Sequence, residues 1–338
     1  MDRCDIIIPV WNQRAFTRDC VDSIIKNTDG NYRLIIIDNA SDEETRGYLD
    51  GLKEMKSPPV LVLRNDKNVG FVKAVNQGIR ASDAPYVCLL NNDTITTKDW
   101  LKSMIDIASI KNDIGIVNPS SNNLGQKPAD GQPFELYAAS LAAEAGKFVE
   151  LGAAIGFCML IKREVIEKIG LFDEIYGMGN FEDTDFSKRA VKEGYRCVRA
   201  CGAYVYHRES SSFGKVKTFE EDFKRNREIY EFRWGKPRRI AYVLDSYDDN
   251  VLKRLSSDTL KLARGGNWVS FFLKEKLPLP EHSNIKTVEL PGKHFYLNTL
   301  FNILKKKKKF DEIFVSEEKF GKVLERLTFI HCARVKYY

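Results

Sequence analysis

The chain has 338 residues, 43% of them hydrophobic and 30% charged, which is the composition of a folded globular protein with one large or two smaller domains. Its net charge of +6 suits an anionic ligand or a membrane surface and gives no reason to expect a nucleic-acid partner. The seven cysteines are scattered, which is typical of free thiols in a reducing cytosol. We see neither a signal peptide nor an apolar run long enough to cross a bilayer. We therefore expect a cytoplasmic protein, and peripheral attachment to the inner face of the membrane stays open.

The first third of the chain alternates between strand and helix patterns. Apolar runs predict strands, and apolar residues at helical spacing predict helices between them. Ser41, followed by Glu44 three residues later, predicts the capped start of a further helix. This alternation is typical of a mainly parallel sheet covered on both faces. The predicted strands are 5–10, 32–37, 60–63, 86–90 and 114–117, and the predicted helices are 16–26, 69–81 and 97–109.

The middle of the chain is less regular. Residues 119–150 are rich in Pro, Gly, Asn, Ser and Ala, which predicts an irregular insertion or a mobile loop. Residues 153–161 then return to the core. The remaining predicted elements of this part are helices over 164–169, 181–193 and 218–232 and a short strand over 204–207.

Gly235-Lys236-Pro237 predicts a domain boundary, which gives a first domain of residues 1–234 and a small Rossmann-like α/β module of residues 235–338. Strands are predicted there at 240–245, 269–273, 285–290 and 313–315. The module has no Gly-x-Gly-x-x-Gly sequence, so nothing supports a dinucleotide site. The run Lys305–Lys309 is either a solvated basic segment or a contact with an anionic lipid surface.

Polar side chains follow several predicted strands of the first domain. The apolar run that begins at Tyr86 ends in Asn91, Asn92 and Asp93. Ligands of open α/β sheets bind beyond the carboxyl ends of the strands, and carboxylates that share such a crevice repel one another unless a cation or a hydrogen-bonded ligand lies there. The set that we expect along this edge is Asn12, Asp38, Asn68, Asp93 and His207.

Simpler roles remain open for several of these residues. Asp38 could end a strand, and Asn68 could cap the helix that begins near Gly70. Backbone N–H groups at that helix start could instead meet a phosphate. His207 could be a core residue, a metal ligand or an acid–base group.

A second polar feature is Phe181–Phe186, which places three carboxylates in the first turn of a predicted helix. Helix N-termini favour acidic residues without any further function. The glycines of Gly177–Asn180 nevertheless predict a mobile approach, and a carboxylate there could accept a proton from an incoming hydroxyl group. We expect Asp185 to be structural.

Taken together, these residues resemble the family 2 glycosyltransferases, which have the GT-A fold. The resemblance covers residues 4–234 and is greatest to the bacterial rhamnosyltransferase-like branch that builds surface polysaccharides. The motifs that carry it are Ile7–Asn12, Ile36–Ser41, Asn68–Phe71, Ala74–Gly78, Leu90–Thr94 and Phe181–Phe186.

The resemblance implies an inverting enzyme that moves a sugar from a UDP- or dTDP-linked donor to a hydroxyl group of a glycan or lipid-linked acceptor. It implies that Asp93 holds Mg²⁺ or Mn²⁺ against the diphosphate, with His207 as a further ligand. Asp183 would be the catalytic base, and Glu182 would border the acceptor or support Asp183. The residues implied to contact the nucleotide-sugar are Pro9, Val10, Asn12, Asp38, Asn68, Gly70, Asn76, Asn91, Asn92 and Asp93.

Two positions depart from the family pattern. Asn91 replaces the first aspartate of the Asp-x-Asp motif, and Val75 stands where many relatives have arginine.

Two other functions remain as alternatives. A nucleotidyltransferase would need a basic Gly-rich loop that Pro9–Arg14 lacks, and a non-catalytic sugar-nucleotide or glycan-binding module would have no need of Asp93 and Asp183.

Overall fold

Two α/β units are built from this alternation of apolar strands and amphipathic helices. The computed structural model describes residues 2–208, 219–246 and 248–338. Unit 1 comprises Met1–Val149 and Ala153–Trp234, and unit 2 comprises Glu150–Gly152 and Gly235–Tyr338. The first residue of the predicted helix over 218–232 lies outside the described residues.

The chain up to Trp234 contains nine described strands and eight described α-helices. The strands are β1 (Cys4–Val10), β2 (Tyr32–Asp38), β3 (Val60–Arg64), β4 (Tyr86–Leu90), β5 (Thr94–Thr96), β6 (Ile114–Ser120), β7 (Phe148–Leu151), β8 (Cys158–Lys162) and β9 (Arg196–His207). The helices are α1 (Arg14–Asn27), α2 (Glu43–Leu52), α3 (Phe71–Arg80), α4 (Trp100–Ile110), α5 (Phe134–Ser140), α6 (Arg163–Ile169), α7 (Glu182–Lys192) and α8 (Phe219–Trp234).

The sheet of unit 1 has the strand order β3-β2-β1-β4-β8-β6-β9-β5. Strands β1 to β4 are mutually parallel, so the carboxyl ends of β1, β2 and β4 lie along one edge. Ile6, Ile7 and Ile8 of β1 are fully buried because β1 lies between β2 and β4 and is covered on both faces. At the far end, β5 runs antiparallel to β9 and places Thr94 opposite His207.

Local contacts change some predicted boundaries. Asp42, not Ser41, caps α2, since its side chain accepts a hydrogen bond from the Thr45 N–H. The Ser41 hydroxyl instead accepts a hydrogen bond from the Asn12 N–H at 2.9 Å. The stretch 119–150, predicted to be irregular, contains α5, most of β7 and two short 3₁₀ helices. Strand β9 is much longer than its predicted segment 204–207.

Unit 2 contains five strands: β10 (Arg239–Leu244), β11 (Trp268–Leu273), β12 (Ile285–Glu289), β13 (Glu312–Val315) and β14 (Arg334–Tyr337). They form a parallel sheet in the order β12-β11-β10-β13-β14. Chain order reverses between β10 and β13, which is the switch point of a Rossmann-like sheet. Strand β14 was not predicted. The helices of this unit are α9 (Asp249–Arg264), α10 (Phe295–Leu304), α11 (Glu318–Arg326) and α12 (Thr328–His331).

Among the helices of the described ranges, none combines the length and the apolar character that a membrane-spanning helix needs.

Candidate active site

Asp93 and His207 meet because of the register between β5 and β9. Asp93 directly precedes β5, and His207 ends β9 opposite Thr94. The Asp93 Oδ1 atom lies 3.0 Å from the His207 Nε2 atom. Both side chains are largely buried, with 12% and 14% of their surfaces exposed. Two residues that are 114 positions apart in the sequence therefore form one polar pair.

The loop after β6 holds His207 from the other side. The amide of Asn122 accepts from the His207 N–H at 2.8 Å and donates to the His207 carbonyl oxygen at 2.8 Å. The Asn123 Nδ2 atom lies 2.8 Å from the His207 Nδ1 atom. The ring of Phe157 stacks on the imidazole with a centroid distance of 5.2 Å. Sequence reasoning missed both asparagines because they lie in the stretch that was predicted to be irregular.

The N-terminus of α7 carries the second polar pair, Glu182 and Asp183. Asn180 and Phe181 precede it with φ angles of 72° and 74°, and no side chain caps the helix. Asp183 Oδ2 accepts from the Gly156 N–H at 2.9 Å, and its Oδ1 accepts from the Thr184 N–H at 2.6 Å. Burial raises the pKa of the Asp183 carboxyl above its ordinary value, although these hydrogen bonds oppose the change.

Glu182 differs from Asp183 in its exposure to solvent. It is only 6% exposed, and its Oε2 atom has no hydrogen-bond partner among the described residues. Burial, and next the charge of Asp183, raise the pKa of Glu182 to about 8. Glu182 therefore holds its proton near neutral pH, whereas the partly exposed Asp183 is the member of the pair whose oxygens accept hydrogen bonds from Gly156 and Thr184.

The segment Gly156-Phe157 connects the two polar pairs. Gly156 donates its N–H to Asp183, and the ring of Phe157 lies against His207. The Phe157 carbonyl oxygen accepts from the Asn91 N–H at 2.8 Å, which ties the same segment to the end of β4. Two adjacent residues thus contact Asp183, His207 and Asn91. Sequence reasoning missed this role, since residues 153–161 were predicted only to return to the core.

At the ends of β1 and β2 the predicted residues form a hydrogen-bonded cluster. Asn12 has a left-handed backbone (φ 56°), and its Oδ1 accepts from the Asp42 N–H at 2.8 Å. Asp38 is fully buried and accepts from Arg64 Nε at 2.7 Å and from the Ser41 N–H at 2.9 Å. Sequence reasoning missed Arg64, which neutralises the Asp38 carboxylate. Pro9 is partly buried and Val10 is 1% exposed, so Val10 offers little surface to a ligand.

Gly70 directly precedes α3 and has a φ angle of 88°. A Cβ atom at this position would lie 2.8 Å from the Gly177 carbonyl oxygen, so only glycine allows the backbones to approach this closely. Asn68 supports the turn, because its Oδ1 accepts from the Gly70 N–H at 2.9 Å and from Asn39 Nδ2 at 2.8 Å. The turn therefore packs against the segment that leads to Asp183.

The remaining predicted contacts differ in how much surface they offer. Asn76 has no exposed surface, and its amide donates to the Phe172 carbonyl oxygen at 2.9 Å and accepts from the Phe172 N–H at 3.1 Å. These contacts give Asn76 a structural role, and its buried side chain has no surface with which to contact a nucleotide-sugar, contrary to the prediction. Asn91 and Asn92 are partly exposed, and Asn92 donates to Thr17 Oγ1 at 2.9 Å.

Helix α8 fixes the approach to α7. The fully buried Asn226 donates to the Tyr176 carbonyl oxygen at 2.9 Å and to the Gly179 carbonyl oxygen at 2.8 Å. Phe181 packs against Phe223 and Tyr230 of the same helix. Sequence reasoning missed Asn226, because nothing in a charged amphipathic helix singles out one buried amide.

Asp185, which was expected to be structural, anchors the end of α8. Its buried carboxylate accepts from Arg189 Nε at 2.9 Å, from Arg233 Nη1 at 2.8 Å and from Trp234 Nε1 at 2.8 Å. Burial acts to raise its pKa, but the hydrogen bonds from Trp234, Arg189 and Arg233 prevail and lower it. This carboxylate is an acceptor at the end of an ion-pair network and is not available as a base.

Within the described ranges, no cluster of three or more His, Cys, Asp or Glu side chains could hold a metal ion. The Asp93–His207 pair offers one carboxylate and one imidazole. This set fits a divalent cation that takes its remaining ligands from water and from the phosphates of a substrate. The buried Asn123 Oδ1 atom, which has no partner among the described residues, shows that the network around His207 is incomplete as it stands.

Comparison with known proteins identifies the class. The structure resembles GT-A glycosyltransferases such as the mannosyltransferase PcManGT from Pyrobaculum calidifontis in complex with GDP-Man and Mn²⁺, with a TM-score of 0.53, 15% identity, and coverage of 77% of this chain and 70% of that one. The fold is therefore GT-A. Residues 5–170 match the model of Glycosyl transferase family 2, and they form a family 2 glycosyltransferase domain.

Similarity by sequence extends to a protein without a named activity and to a protein named as a glycosyltransferase. The uncharacterized protein y4gI of Sinorhizobium fredii is 28% identical over 249 residues, which are 68% of this chain and 27% of that protein. An uncharacterized glycosyltransferase of Haemophilus influenzae is 24% identical over 197 residues, which are 56% of this chain and 62% of that protein. The chain thus spans less than two thirds of the length of either relative.

Proposed function

We propose that unit 1 is an inverting glycosyltransferase that moves a sugar from a nucleotide-sugar donor to a hydroxyl group of a glycan or lipid-linked acceptor. The observation that carries this proposal is the Gly156-Phe157 segment, which contacts both Asp183 and His207. A base and a metal-binding pair are the two parts that such a transfer needs, and this one short segment contacts a member of each.

Asp93 and His207 would hold Mg²⁺ or Mn²⁺. When bound, the cation supplies positive charge that stabilises the departing nucleoside diphosphate. The solved mannosyltransferase with GDP-Man and Mn²⁺ supports a divalent metal for this fold. Asn91, in place of the first aspartate of the usual motif, adds hydrogen-bonding capacity without charge, so Asp93 is the acidic ligand of this segment.

Asp183 acts on the acceptor. Its carboxylate takes the proton of the acceptor hydroxyl group while that oxygen forms a bond to the anomeric carbon of the donor sugar. The bond from this carbon to the phosphate oxygen breaks at the same time, so the configuration at the carbon inverts. Glu182 keeps its own proton near neutral pH because its pKa is about 8, which leaves Asp183 as the basic member of the pair.

The nucleotide lies, in this proposal, along the ends of β1, β2 and β4. The contacts proposed for it come from the partly exposed Asn12, Asn91 and Asn92 and from the turn at Asn68 and Gly70. Asp38 would contribute through the Arg64 pair and not as a lone charge, and Pro9 and Val10 would shape the floor. A UDP- or dTDP-linked donor and the rhamnosyltransferase-like branch remain our predictions.

A non-catalytic sugar-nucleotide or glycan-binding module is the second candidate, and Asn91 is the observation that favours it, since it removes one charge from the metal-binding segment. A nucleotidyltransferase gains no support, because only residues 11–13 separate β1 from α1, and they form no basic Gly-rich loop. A binding module would bind nucleotide without any metal-dependent turnover.

Peripheral contact of unit 2 with a membrane is proposed for Lys305, Lys307 and Lys308, which are exposed at the end of α10 beside the exposed Phe301. Lys306 and Lys309 are turned inward, since Lys306 donates to Ser270 Oγ and Lys309 to the Leu304 carbonyl oxygen. Co-sedimentation with anionic vesicles, in the wild type and with the three exposed lysines changed to glutamate, tests this contact. Equal binding of both proteins would contradict it.

The function is tested by calorimetry of UDP, dTDP, GDP and ADP, each with Mn²⁺ and with EDTA. We expect metal-dependent binding of one nucleotide, which Asp93→Ala abolishes and the surface control Asp106→Ala retains. Metal-dependent hydrolysis of the matching nucleotide-sugar then separates an enzyme from a binding module. Absence of nucleotide binding under every condition would refute the donor site.

A further inference from the structure

Both ring nitrogens of His207 have partners whose hydrogen-bonding properties are different. Nε2 faces a carboxylate oxygen of Asp93 at 3.0 Å, which can only accept a hydrogen bond when ionised. Nδ1 faces the Asn123 amide nitrogen at 2.8 Å, which can only donate. In this arrangement the proton of the neutral ring lies on Nε2, and Nδ1 accepts.

This tautomer cannot bind a metal through Nε2, because the nitrogen carries a proton. A histidine that binds metal through Nε2 normally donates its Nδ1–H to an oxygen acceptor, which fixes the ring and strengthens the ligand. The required acceptor is on the same side chain: Asn123 Oδ1 is buried and has no partner among the described residues. A half-turn of the amide exchanges the donor for the acceptor at nearly the same place, and amide orientations are assigned from such networks.

The rest of the contacts around the ring do not have to change. Asn122 binds both backbone groups of His207, and Phe157 stacks on the imidazole face. The position of the ring is therefore set by Asn122 and Phe157, while the identity of its protonated nitrogen is set by Asn123 and Asp93. An amide is suited to this place because it is a neutral group that can both donate and accept.

We propose that Asn123 is a positioning residue that switches the tautomer of His207 when a divalent cation binds. Without metal, Asn123 donates to Nδ1 and Nε2–H donates to Asp93. With metal, the Nε2 proton passes to solvent, Nδ1 takes a proton from solvent and donates it to Asn123 Oδ1, and Nε2 and Asp93 face the cation. The proposal rests on the metal role given to Asp93 and His207 above.

Three variants separate the parts of the switch. Asn123→Asp offers acceptors only, so it favours the ligand tautomer in the metal-free protein. Asn123→Leu offers neither donor nor acceptor to Nδ1. Gln126→Glu is the matched control, because it adds a charge in the same loop, where Gln126 contacts Ser121 and Leu124 and not the ring.

The measurement is the ¹⁵N–¹H spectrum of the histidine rings at pH 8, first without metal and then during titration with Mn²⁺ alone. The sequence has only four histidines, so His207 is assigned by a His207→Gln spectrum, and the other three report on non-specific binding. Ring nitrogen shifts identify the protonated nitrogen, and paramagnetic broadening by Mn²⁺ reports binding at His207.

We expect Nε2–H in the metal-free wild type and in Gln126→Glu, and Nδ1–H in Asn123→Asp. We expect Asn123→Leu to weaken Mn²⁺ binding about 10- to 100-fold, the usual effect of losing such an outer contact, while Asn123→Asp binds at least as tightly as the Gln126→Glu control. Mn²⁺ binding at His207 with no effect of Asn123→Leu on affinity or tautomer would overturn the switch alone. Absence of His207 broadening in the wild type, with UDP or GDP also present, would overturn the metal site and the switch together.

Discussion

The two units differ in how helix N-termini are capped at the carboxyl edges of their parallel sheets. In unit 1, α1, α3 and α7 begin without a side-chain cap, at Gln13, Gly70 and Phe181. In unit 2, carboxylates cap the N-termini of the helices beside the switch point. Asp248 accepts from two N–H groups of α9, and Glu317 accepts from two N–H groups of α11. Uncapped N-termini leave donors for an anionic ligand, and capped ones do not.

Carboxylates at the two edges differ in the same way. Asp245, after β10, accepts from Tyr296 OH at 2.6 Å and from Ser316 Oγ at 2.9 Å. Burial acts to raise its pKa, but these hydrogen bonds prevail and lower it. Asp183 in unit 1 has its pKa raised. The comparison teaches that an acidic residue near such an edge is an indicator of chemistry only where its surroundings raise its pKa.

The largest effect that this comparison predicts is on turnover. Asp183→Asn removes the proposed base, so we expect the turnover number for nucleotide-sugar cleavage to fall by about 10²- to 10⁴-fold with nucleotide binding retained. Asp245→Asn is the matched change in unit 2 and should leave turnover unchanged. The rate of nucleoside diphosphate release measures both. Equal loss in both variants would remove the distinction between the two edges.

Next in size is a loss of stability in unit 1. Asp185→Ala removes a buried acceptor and leaves Arg189 and Arg233 without it, which should lower the free energy of unfolding by about 3–5 kcal/mol. Because the folded pKa of Asp185 is lowered, its contribution is present above the ordinary pKa of about 4 and is lost as the pH falls further. Urea unfolding between pH 3 and pH 7 measures this. An unfolding free energy of Asp185→Ala equal to that of the wild type would contradict the anchoring role.

Glu182 should give a stability change of opposite sign. Its folded pKa of about 8 lies above the unfolded value of about 4.3, so the stability it contributes is complete below the unfolded value and is lost as the pH rises toward 8. Glu182→Gln cannot ionise, so we expect a smaller fall in unfolding free energy between pH 5 and pH 8 than in the wild type. Parallel pH profiles of the two proteins would show that Glu182 titrates normally.

The smallest effect is at a cap of unit 2. Asp248→Ala removes the acceptor for the Asn250 and Val251 N–H groups, which should cost about 0.5–2 kcal/mol of stability. We expect no change in nucleotide binding, because this edge is not the donor site. Calorimetry and urea unfolding of the same preparation measure both quantities. A second nucleotide-binding site that appears only in Asp248→Ala would show that the Asp248 cap alone prevents binding at the edge of unit 2.

Much of the fold follows from the sequence by itself. Runs such as those in β1 and β2 are apolar throughout because both faces of a parallel strand are buried, and this pattern is local. Asp93 and His207 stood out because they follow predicted strands, and Asp183 stood out because three carboxylates share the first turn of a predicted helix. What was missed is short or polar: β5 has three residues, and β14 is largely exposed, so neither carries a hydrophobic period.

Only the tertiary structure decided which polar residues meet. The register of β5 against β9 brings Asp93 to His207, and the loop after β6 brings Asn122 and Asn123 to the same ring. The tertiary structure also buries Asn76 against Phe172, which makes it a structural residue, and it brings Arg64 to the Asp38 carboxylate. A sequence pattern records how each segment balances burial and solvation, whereas these contacts join residues far apart in the chain and depend on how the segments pack.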